Sequence, residues 1–467
     1  MSMNESPFKL RGAIEGFYGS FYTFPERKDL IRFLGRHGFN FYLYGPKNDR
    51  QHRSRWWDPY PPAVLESFRE TISVAQTSCV TFCYAISFGV PLDYRSEQSF
   101  GAVTDKFSEF YRRGCRAFAV LLDDITEELV HGLERDRLHA IAGSHAGFCN
   151  RLFAWLRELA EPVSLAVCPS EYHGAAPFTD YLHDLGAKLD PAIDLFYSGP
   201  EVCAHEITVA DAEGFATAAQ RWPLLWDNYP VNDLTMKAEM HLGPIRGRDP
   251  LLHTVTKGYL SNLMVQPEAS KIPLLTIADY LRNPERYRPD AAWKRAPARV
   301  AGAQSGQAVL YLAENSLHSC LQEEEAPRLD QLVRDAVAAL RYGQAVAENG
   351  AVARLEVYFT TLDESCYELK NRMGNLRLRS DLLPWIEALE DRVWMARFAL
   401  RVLRACETGG NVQAPLRNVE ELLAQVQQSS KRIGGTAVIE LAKYARDRGT
   451  AWNHERTALM PQHDHAV

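Results

Sequence analysis

The segment LRGAIEGFYGSFYTFPE, residues 10–26, contains the pattern that decides the fold. It begins with a strand-like run, residues 10–14, and the glycine-rich stretch that follows ends this run. A helix start comes next, because Thr23 can cap a helix, Pro25 suits its first turn and Glu26 completes a capping box with Thr23. The segment therefore predicts one strand–loop–helix unit.

The same unit recurs along the chain up to about residue 296. Short apolar runs predict seven further strands at residues 39–44, 80–86, 117–122, 163–167, 193–197, 223–226 and 273–277, with a helix at 251–264 before the last. Continuous apolar runs are expected where both faces of a parallel sheet are buried. Eight such units predict a closed (β/α)₈ TIM barrel of the α/β class over residues 8–296. An open doubly wound sheet is the alternative, although no Gly-x-Gly-x-x-Gly motif follows the first strand.

The strand pattern stops after residue 297, and apolar residues at helical spacing take its place. We expect an all-α helical bundle domain over residues 297–450 and a flexible polar tail over residues 451–467. Apolar stripes of this kind are usually bundle core. If the chain pairs with a second copy, we expect the homodimer contact to use this helical domain.

Composition excludes several classes of protein. The 467 residues carry 52 Lys+Arg against 59 Asp+Glu, a net charge of −7, which argues against a nucleic-acid partner. No run approaches the roughly 20 apolar residues that span a membrane, and Met1–Pro7 does not resemble a secretory signal. The nine scattered cysteines include no Cys-x-x-Cys, so we interpret them as buried thiols of a cytoplasmic protein, with a disulfide framework or zinc site as the minority alternative.

Chemically reactive and polar residues follow five of the predicted strands. In a closed barrel the carboxyl ends of the strands share one face, where catalysis takes place. The residues at these ends are Gly16, Lys47, Asp123, Asp124, Tyr172, Trp226, Asn228 and Asp233. Their agreement on one face predicts a catalytic site there.

Asp123 and Asp124 are the centre of this predicted site. They follow the apolar run Phe118–Leu122, where two adjacent carboxylates are costly unless the strand ends at a wet cavity. Two close carboxylates repel, so one should be protonated more easily than the other, which would place an acid beside a base. The alternatives are a helix cap or a solvent-facing pair, and a divalent-metal site is the rival chemistry.

The other strand-end residues suit a neutral ligand that is rich in hydroxyl groups. Asn228 can donate and accept, Asp233 can accept from a pair of hydroxyls, and Lys47 adds a donor. Trp226 and Tyr172 offer flat apolar walls for a sugar ring or an acetyl methyl. Taken singly, each of these residues except Asn228 is explained as well by a structural role. We expect no metal and no cofactor.

Seven segments together resemble glycoside hydrolase family 84, the protein O-GlcNAcases and related β-N-acetylglucosaminidases. The segments occur in the family's order over about residues 8–296. They are RGAIEGFYG (11–19), YLYGPK (42–47), LLDD (121–124), CPSEY (168–172), WDN (226–228), ND (232–233) and IADYLRNP (277–284). Asn48 is a departure, since members often carry an acid there.

The resemblance implies retaining hydrolysis in which the substrate's 2-acetamido oxygen attacks the anomeric carbon. Asp123 would orient the acetamido group, and Asp124 would act as the general acid and then the base. Tyr172, Trp226 and Asn228 would hold the acetamido group. The ring hydroxyls would be held by Gly16, Lys47, Asp233 and Asn262.

Three hypotheses of function stay open. The first is an enzyme that removes GlcNAc from Ser or Thr of glycosylated proteins or peptides. The second has the same chemistry but acts on glycan fragments. The third is a non-catalytic GlcNAc-binding scaffold, which would not need an acid beside a base. A chitinase-like barrel would need spaced acids or an Asp-Glu pair at the fourth strand, and this chain has neither.

Overall fold

A computed structural model describes residues 6–89, 92–123 and 135–459 of the chain. Eight parallel strands pair in sequential order, and the first pairs with the last, so that the sheet closes. The strands are β1 (Leu10–Glu15), β2 (Phe41–Tyr44), β3 (Thr81–Ser87), β4 (Ala117–Leu121), β5 (Ser164–Cys168), β6 (Asp194–Tyr197), β7 (Leu224–Asp227) and β8 (Gly258–Asn262). The expected closed eight-stranded barrel is confirmed.

Helices alternate with these strands. The described ones are α1 (Phe24–Arg36), α2 (Pro62–Thr77), α3 (Glu97–Tyr111), α4 (Arg135–Arg157), α5 (Asp180–Lys188), α6 (Val209–Ala219), α7 (Lys271–Arg282) and α8 (Pro289–Ala301). The predicted capping box starts α1: Glu26 Oε2 accepts from the Thr23 N–H at 2.8 Å, and Thr23 Oγ1 accepts from the Glu26 N–H at 3.4 Å. These two bonds satisfy donors that would otherwise be unpaired at the helix start.

Apolar side chains from all eight strands fill the inside of the barrel. Ile14, Leu43, Leu121 and Leu260 are fully buried in this cluster, which also contains Trp226 at the end of β7. Since side chains alternate along a strand, the residues between them face the helices. The packed interior makes the barrel a rigid support for the loops that follow its strands.

The eighth strand was predicted in the wrong place. It is Gly258–Asn262, whereas residues 273–277 lie in helix α7. The run PLLTIA looked like a buried strand because α7 is buried on nearly all sides, and a short apolar run does not distinguish the two structures. Ser261 and Asn262 interrupt the apolar pattern of β8, although both are buried. The predicted helix at 251–264 is likewise wrong.

The chain divides into two compact units. The first comprises the described residues up to Met236 together with Pro244–Ala296, and the second comprises Lys237–Gly243 and the described residues from Pro297 onward. The helices of the second unit are α9 (Gly306–Glu314), α10 (Pro327–Arg341), α11 (Gly350–Asn371), α12 (Leu376–Thr408), α13 (Gln413–Gln428) and α14 (Ala437–Leu459). Within this unit, the Ala238 carbonyl accepts from Trp385 Nε1 at 2.9 Å and from the Arg432 N–H at 2.8 Å.

The prediction of a flexible tail from residue 451 is wrong for its first nine residues. Helix α14 continues to Leu459, and residues 460–467 lie outside the described residues. Arg456 Nη1 donates to the Gly409 carbonyl at 2.7 Å, and its guanidinium lies 5.4 Å from the Trp452 ring centroid. The polar residues that suggested a loop are compatible with the exposed face of a helix.

All nine cysteines fall in the described ranges and are thiols, six of them buried. Cys79 is exposed, and Cys203 and Cys320 are partly exposed, so the expectation that all nine are buried is wrong for these three. In the part of the chain that the structure describes, no helix is both long and apolar enough to cross a bilayer.

We expect His145 on α4 to make the fold sensitive to acid. Its ring is buried, Nδ1 lies 3.0 Å from the Tyr181 hydroxyl, and burial lowers its pKa from 6.5 to about 4. In the unfolded chain His145 therefore becomes protonated as the pH falls below 6.5, whereas in the folded chain it stays neutral down to about pH 4. Stability is lost as the pH falls through this window, by about 2 kcal/mol at pH 5 from this group.

Urea unfolding of the His145→Asn variant at pH 7.5 and pH 5 tests this prediction. The variant should lose about 2 kcal/mol less between the two pH values than the parent does, because it removes the titrating ring. His183→Asn, at an exposed position of α5, is the matched control. Equal losses in the parent and the His145 variant would contradict the prediction.

Candidate active site

The carboxyl ends of the strands carry the residues that the sequence singled out. Gly16 directly follows β1, Asn228 directly follows β7, and Asn262 is the last residue of β8. Lys47 and Asp123 lie in the loops after β2 and β4. Because the sheet is parallel and closed, these ends meet on one face of the barrel.

A cavity of about 690 Å³ opens at this face. Its volume lies in the range of pockets that hold a small-molecule ligand. It is lined by eight of the nine predicted residues, Gly16, Lys47, Asp123, Tyr172, Trp226, Asn228, Asp233 and Asn262. Asp124, the ninth, lies outside the described residues. The corrected position of β8 explains why Asn262 reaches the cavity, since it ends a strand and does not lie in a helix.

Lys47 and Asp123 form an ion pair in the cavity wall. Lys47 Nζ lies 2.5 Å from Asp123 Oδ2, and the two side chains are 4% and 11% exposed. Two charges at such low exposure are tolerated when each compensates the other. The pair therefore fixes the Asp123 carboxylate, which faces the same cavity as the amide and aromatic groups.

Asn228 is the centre of an amide network beside the Trp226 ring. Its Oδ1 accepts from Trp226 Nε1 and from Asn262 Nδ2, both at 2.9 Å, and its Nδ2 donates to the Val202 carbonyl at 2.7 Å. Asn262 Oδ1 in turn accepts from the Gly16 N–H at 3.2 Å. These bonds hold the ends of β1, β7 and β8 in one fixed arrangement.

The two aromatic residues that the sequence singled out, Trp226 and Tyr172, both line the cavity. Trp226 is 6% exposed and meets Phe196 edge to face, with ring centroids 5.3 Å apart. Tyr172 packs against the barrel core, and its carbonyl accepts from the Ser198 N–H at 2.8 Å. Trp226 is thus part of the core and of the cavity at once, so its structural and ligand-facing roles do not exclude each other.

Asp233 ties the loop after β7 to the loop after β1. Its Oδ2 accepts from the Tyr18 N–H at 2.6 Å, and the residue is buried. Tyr18 also lines the cavity and was not predicted, because a residue that contributes its backbone leaves no signal in the sequence pattern. Asn48, the departure from the family pattern, accepts from the Gly19 N–H at 3.2 Å through Oδ1.

Sequence reasoning also missed the loop after β6. Glu201, Val202 and Cys203 of this loop line the cavity. The Gly199-Pro200 pair after an apolar run was a usable signal for a loop at a strand end. Burial, with smaller contributions from the Asp227 and Asp233 carboxylates, raises the pKa of the Cys203 thiol to about 12. Cys203 is therefore a neutral thiol at physiological pH.

We expect Gly16→Ala to damage both the cavity and the fold. A Cβ at this position would lie 2.6 Å from Trp226 Cζ2 and 2.8 Å from Ile14 Cγ2, closer than real side chains approach. Since Ile14 is barrel core, the Trp226 ring must shift, and we expect about 1–3 kcal/mol of destabilisation.

Thermal unfolding measures this loss, and ligand binding at the cavity should weaken with it. Gly101→Ala is the matched control, because a Cβ at this position of α3 meets nothing within 4 Å. It should leave stability unchanged or raise it by up to about 1 kcal/mol. If Gly16→Ala were as stable as Gly101→Ala, the position of the Trp226 ring would not depend on the absence of a Cβ at residue 16, and the prediction would be wrong.

Metal ligands are not grouped in the part of the chain that the structure covers. Within residues 6–89, 92–123 and 135–459, no three His, Cys, Asp or Glu side chains lie where they could hold a metal ion. The charged pair in the cavity wall joins a carboxylate to a lysine, and lysine is a donor only.

A closed (β/α)₈ barrel with an acid, a lysine, amides and aromatic rings around a cavity at its carboxyl face has the arrangement of a barrel enzyme for a small polar ligand. Residues 11–314 match the family model described as beta-N-acetylglucosaminidase. The chain belongs to this family of glycoside hydrolases, family 84.

Named relatives agree with this assignment. The Protein O-GlcNAcases of Rattus norvegicus and Mus musculus are each 32% identical over 279 residues, which is 59% of this chain. The matched region spans 30% of the length of these relatives. A mutant of the Thermobaculum terrenum O-GlcNAc hydrolase is 29% identical with a TM-score of 0.87, covering 97% of both chains. CpGH84B is 26% identical with a TM-score of 0.82, covering 94% of this chain and 77% of its own.

Proposed function

We propose that this protein is a retaining β-N-acetylglucosaminidase that removes O-linked GlcNAc from Ser or Thr of proteins. The observation that carries the proposal is the Asp123 carboxylate, paired with Lys47, in a cavity that also contains Asn228 and Trp226. An acid, an amide and an indole ring around one small cavity suit a sugar with an acetamido group. The names of the mammalian and bacterial relatives support the same substrate.

In the proposed mechanism the 2-acetamido oxygen bonds to the anomeric carbon while the bond from that carbon to the leaving oxygen breaks. Asp123 accepts a hydrogen bond from the acetamido N–H and stabilises the charge that develops there. Asp124 gives its proton to the leaving oxygen and then takes one from the water that opens the oxazoline. The substrate supplies the nucleophile, which distinguishes this scheme from the two-carboxylate scheme.

The remaining cavity residues have binding roles in this proposal. Tyr172, Asn228 and Trp226 hold the acetamido group. The sugar hydroxyls are bound by the Gly16 carbonyl, Lys47, Asp233 and Asn262. The fixed network among Gly16, Asn228 and Asn262 supports such roles, because it orients these groups before a ligand arrives.

Turnover of p-nitrophenyl β-GlcNAc tests the enzymatic part of the proposal, and release of GlcNAc from an O-GlcNAc-modified protein tests its substrate. We expect turnover of both, with the parallel p-nitrophenyl β-glucoside untouched. Cleavage of GlcNAc from glycan fragments but not from protein would favour the hypothesis of an enzyme that acts on glycan fragments. Binding of GlcNAc without turnover would favour a scaffold and contradict the proposal. The cytoplasmic location and the homodimer through the helical domain stay predictions.

A further inference from the structure

Arg248 lies behind the cavity, in the connection between β7 and β8, and its guanidinium is almost fully buried. All five of its N–H groups donate hydrogen bonds. Nε and Nη2 donate to the two carboxylate oxygens of Asp227, each at 2.7 Å. Nη2 also donates to the Ala204 carbonyl at 3.0 Å, and Nη1 donates to the His205 and Arg246 carbonyls at 2.8 and 3.0 Å.

These bonds join the end of β7 to the loop after β6. Asp227 is the residue between Trp226 and Asn228, and it also accepts a short hydrogen bond from the Tyr259 hydroxyl. Ala204 directly follows Val202 and Cys203, which line the cavity. A bidentate arginine–carboxylate pair fixes both position and angle, so Arg248 acts as a rigid link between the two segments.

The backbone beside Arg248 reinforces the link. The Ile207 N–H donates to the Gly247 carbonyl at 2.8 Å, and the Asp249 N–H donates to the Ile207 carbonyl at 3.1 Å. Gly247 has a φ of +68°, and a Cβ there would lie 2.4 Å from the His205 carbonyl oxygen. The two loops therefore approach too closely for another residue at this position, and the chain is held on both sides of Arg248.

Asn228 depends on both linked segments. Its backbone continues from Asp227, and its Nδ2 donates to Val202 of the β6 loop. A shift of that loop would remove the acceptor that orients the amide and would move the Val202 and Cys203 wall at the same time. Arg248 therefore holds the two segments that supply the Asn228 backbone and the acceptor of its Nδ2, while Trp226 and Asn262 hold its Oδ1.

We propose that Arg248 is a positioning residue that sets the size of the N-acyl group the cavity accepts. The proposal rests on the proposed function, in which Asn228 and Trp226 hold that acyl group. Arg248 does not line the cavity, so it acts through Asp227 and the β6 loop and not by touching the substrate.

The chain offers a matched control at another strand. Arg27 donates to Glu15, the last residue of β1, from Nε at 2.7 Å and from Nη2 at 2.9 Å, and its side chain is 1% exposed. Its Nη2 also donates to the Tyr22 carbonyl at 2.7 Å. This pair is as buried as the Arg248 pair, but it lies behind Gly16, on the side of the sugar hydroxyls in the proposed complex.

The test compares kcat/KM for p-nitrophenyl glycosides of N-acetyl and N-butanoyl glucosamine. The parent should prefer the acetyl compound, and Arg248→Met should reduce that preference by about tenfold or more because the wall is no longer held. Arg248→Lys should restore part of it. Arg27→Met should lower both rates together and keep the preference within about twofold of the parent.

Several outcomes would overturn the proposal. An unchanged preference in Arg248→Met, or the same change in Arg27→Met, would make Arg248 a general structural residue. If Arg248→Met does not fold, the same ratio is read on Asp227→Asn, which keeps the side-chain shape and weakens the pair. A parent enzyme that cleaves neither glycoside would contradict the proposed function, whereas a parent that cleaves both with equal efficiency would contradict only the role of Arg248.

Discussion

Asp123→Asn should lower kcat on GlcNAc β-glycosides by about 10²–10³-fold, and by the same factor for good and poor leaving groups. The carboxylate is proposed to stabilise the acetamido group as its oxygen attacks, and this attack displaces every leaving group, good or poor, in the same step. The asparagine side chain of the variant is uncharged and cannot stabilise the positive charge that develops on the acetamido group during the attack. Steady-state kinetics on a nitrophenyl and an alkyl glycoside measure the two factors.

The fold must be checked in the same experiment, because Asp123 balances the buried charge of Lys47. Loss of one partner of a buried pair can cost about 3–5 kcal/mol, although an amide oxygen can still accept from Lys47. Thermal unfolding shows whether the variant is folded at the assay temperature. Asp184→Asn on α5 is the control carboxylate and should keep full turnover. Loss confined to the alkyl glycoside would assign Asp123 the role of the acid instead.

Asp124→Asn should separate the two substrates. Without a general acid, we expect kcat/KM on the alkyl glycoside to fall by about 10²–10⁴-fold, because its leaving oxygen must be protonated as it departs. A dinitrophenolate leaves without a proton, so turnover of that glycoside should stay within about tenfold of the parent. If opening of the oxazoline by water limits Asp124→Asn, added azide should raise the turnover of the dinitrophenyl glycoside by this variant.

The ratio of the two effects is the decisive quantity for Asp124. An equal loss on both glycosides would contradict the acid role, even if the loss were large. The pH profile gives an independent check, since the alkaline limb of kcat/KM on the alkyl glycoside should disappear with the acid.

Most of the barrel could be predicted because its first seven strands are short apolar runs that end at or close to a glycine, a proline or a polar residue. Residues 10–14 and 117–122 are examples, and their loops begin where the pattern breaks. The prediction of the eighth strand was wrong because its sequence does not have this pattern. Ser261 and Asn262 are polar residues in a buried strand, and the almost fully buried helix α7 has the composition of a strand.

Most of the predicted residues that line the cavity do so with polar or aromatic side chains, whereas two of the missed contributions come from the backbone. Lys47, Asp123 and Asn228 could be found because polar side chains directly after buried strands have a cost that function can explain. Tyr18 contributes an N–H group, and Val202 contributes a carbonyl. Neither contribution depends on the residue type, so neither leaves a pattern in the sequence.

The ion pairs that hold the site in place could not be predicted from the sequence either. Arg248 and Asp227 are 21 residues apart and meet only because β7 and the following connection fold back on each other. No local spacing predicts that pairing. The same holds for the pairing of Lys47 with Asp123, which joins loops of two strands that are not neighbours in the sheet.

One kinetic series tests the central claim most directly, namely that the substrate's own acetamido oxygen is the nucleophile in this cavity. The series consists of aryl β-glucosaminides with N-acetyl, N-fluoroacetyl, N-difluoroacetyl and N-trifluoroacetyl groups. Fluorine withdraws electrons from the attacking oxygen, so kcat/KM should fall steadily, by about 10²-fold or more across the series. A flat series would mean that another nucleophile, a group of the protein or a water molecule, attacks the sugar, and the proposed mechanism would be wrong.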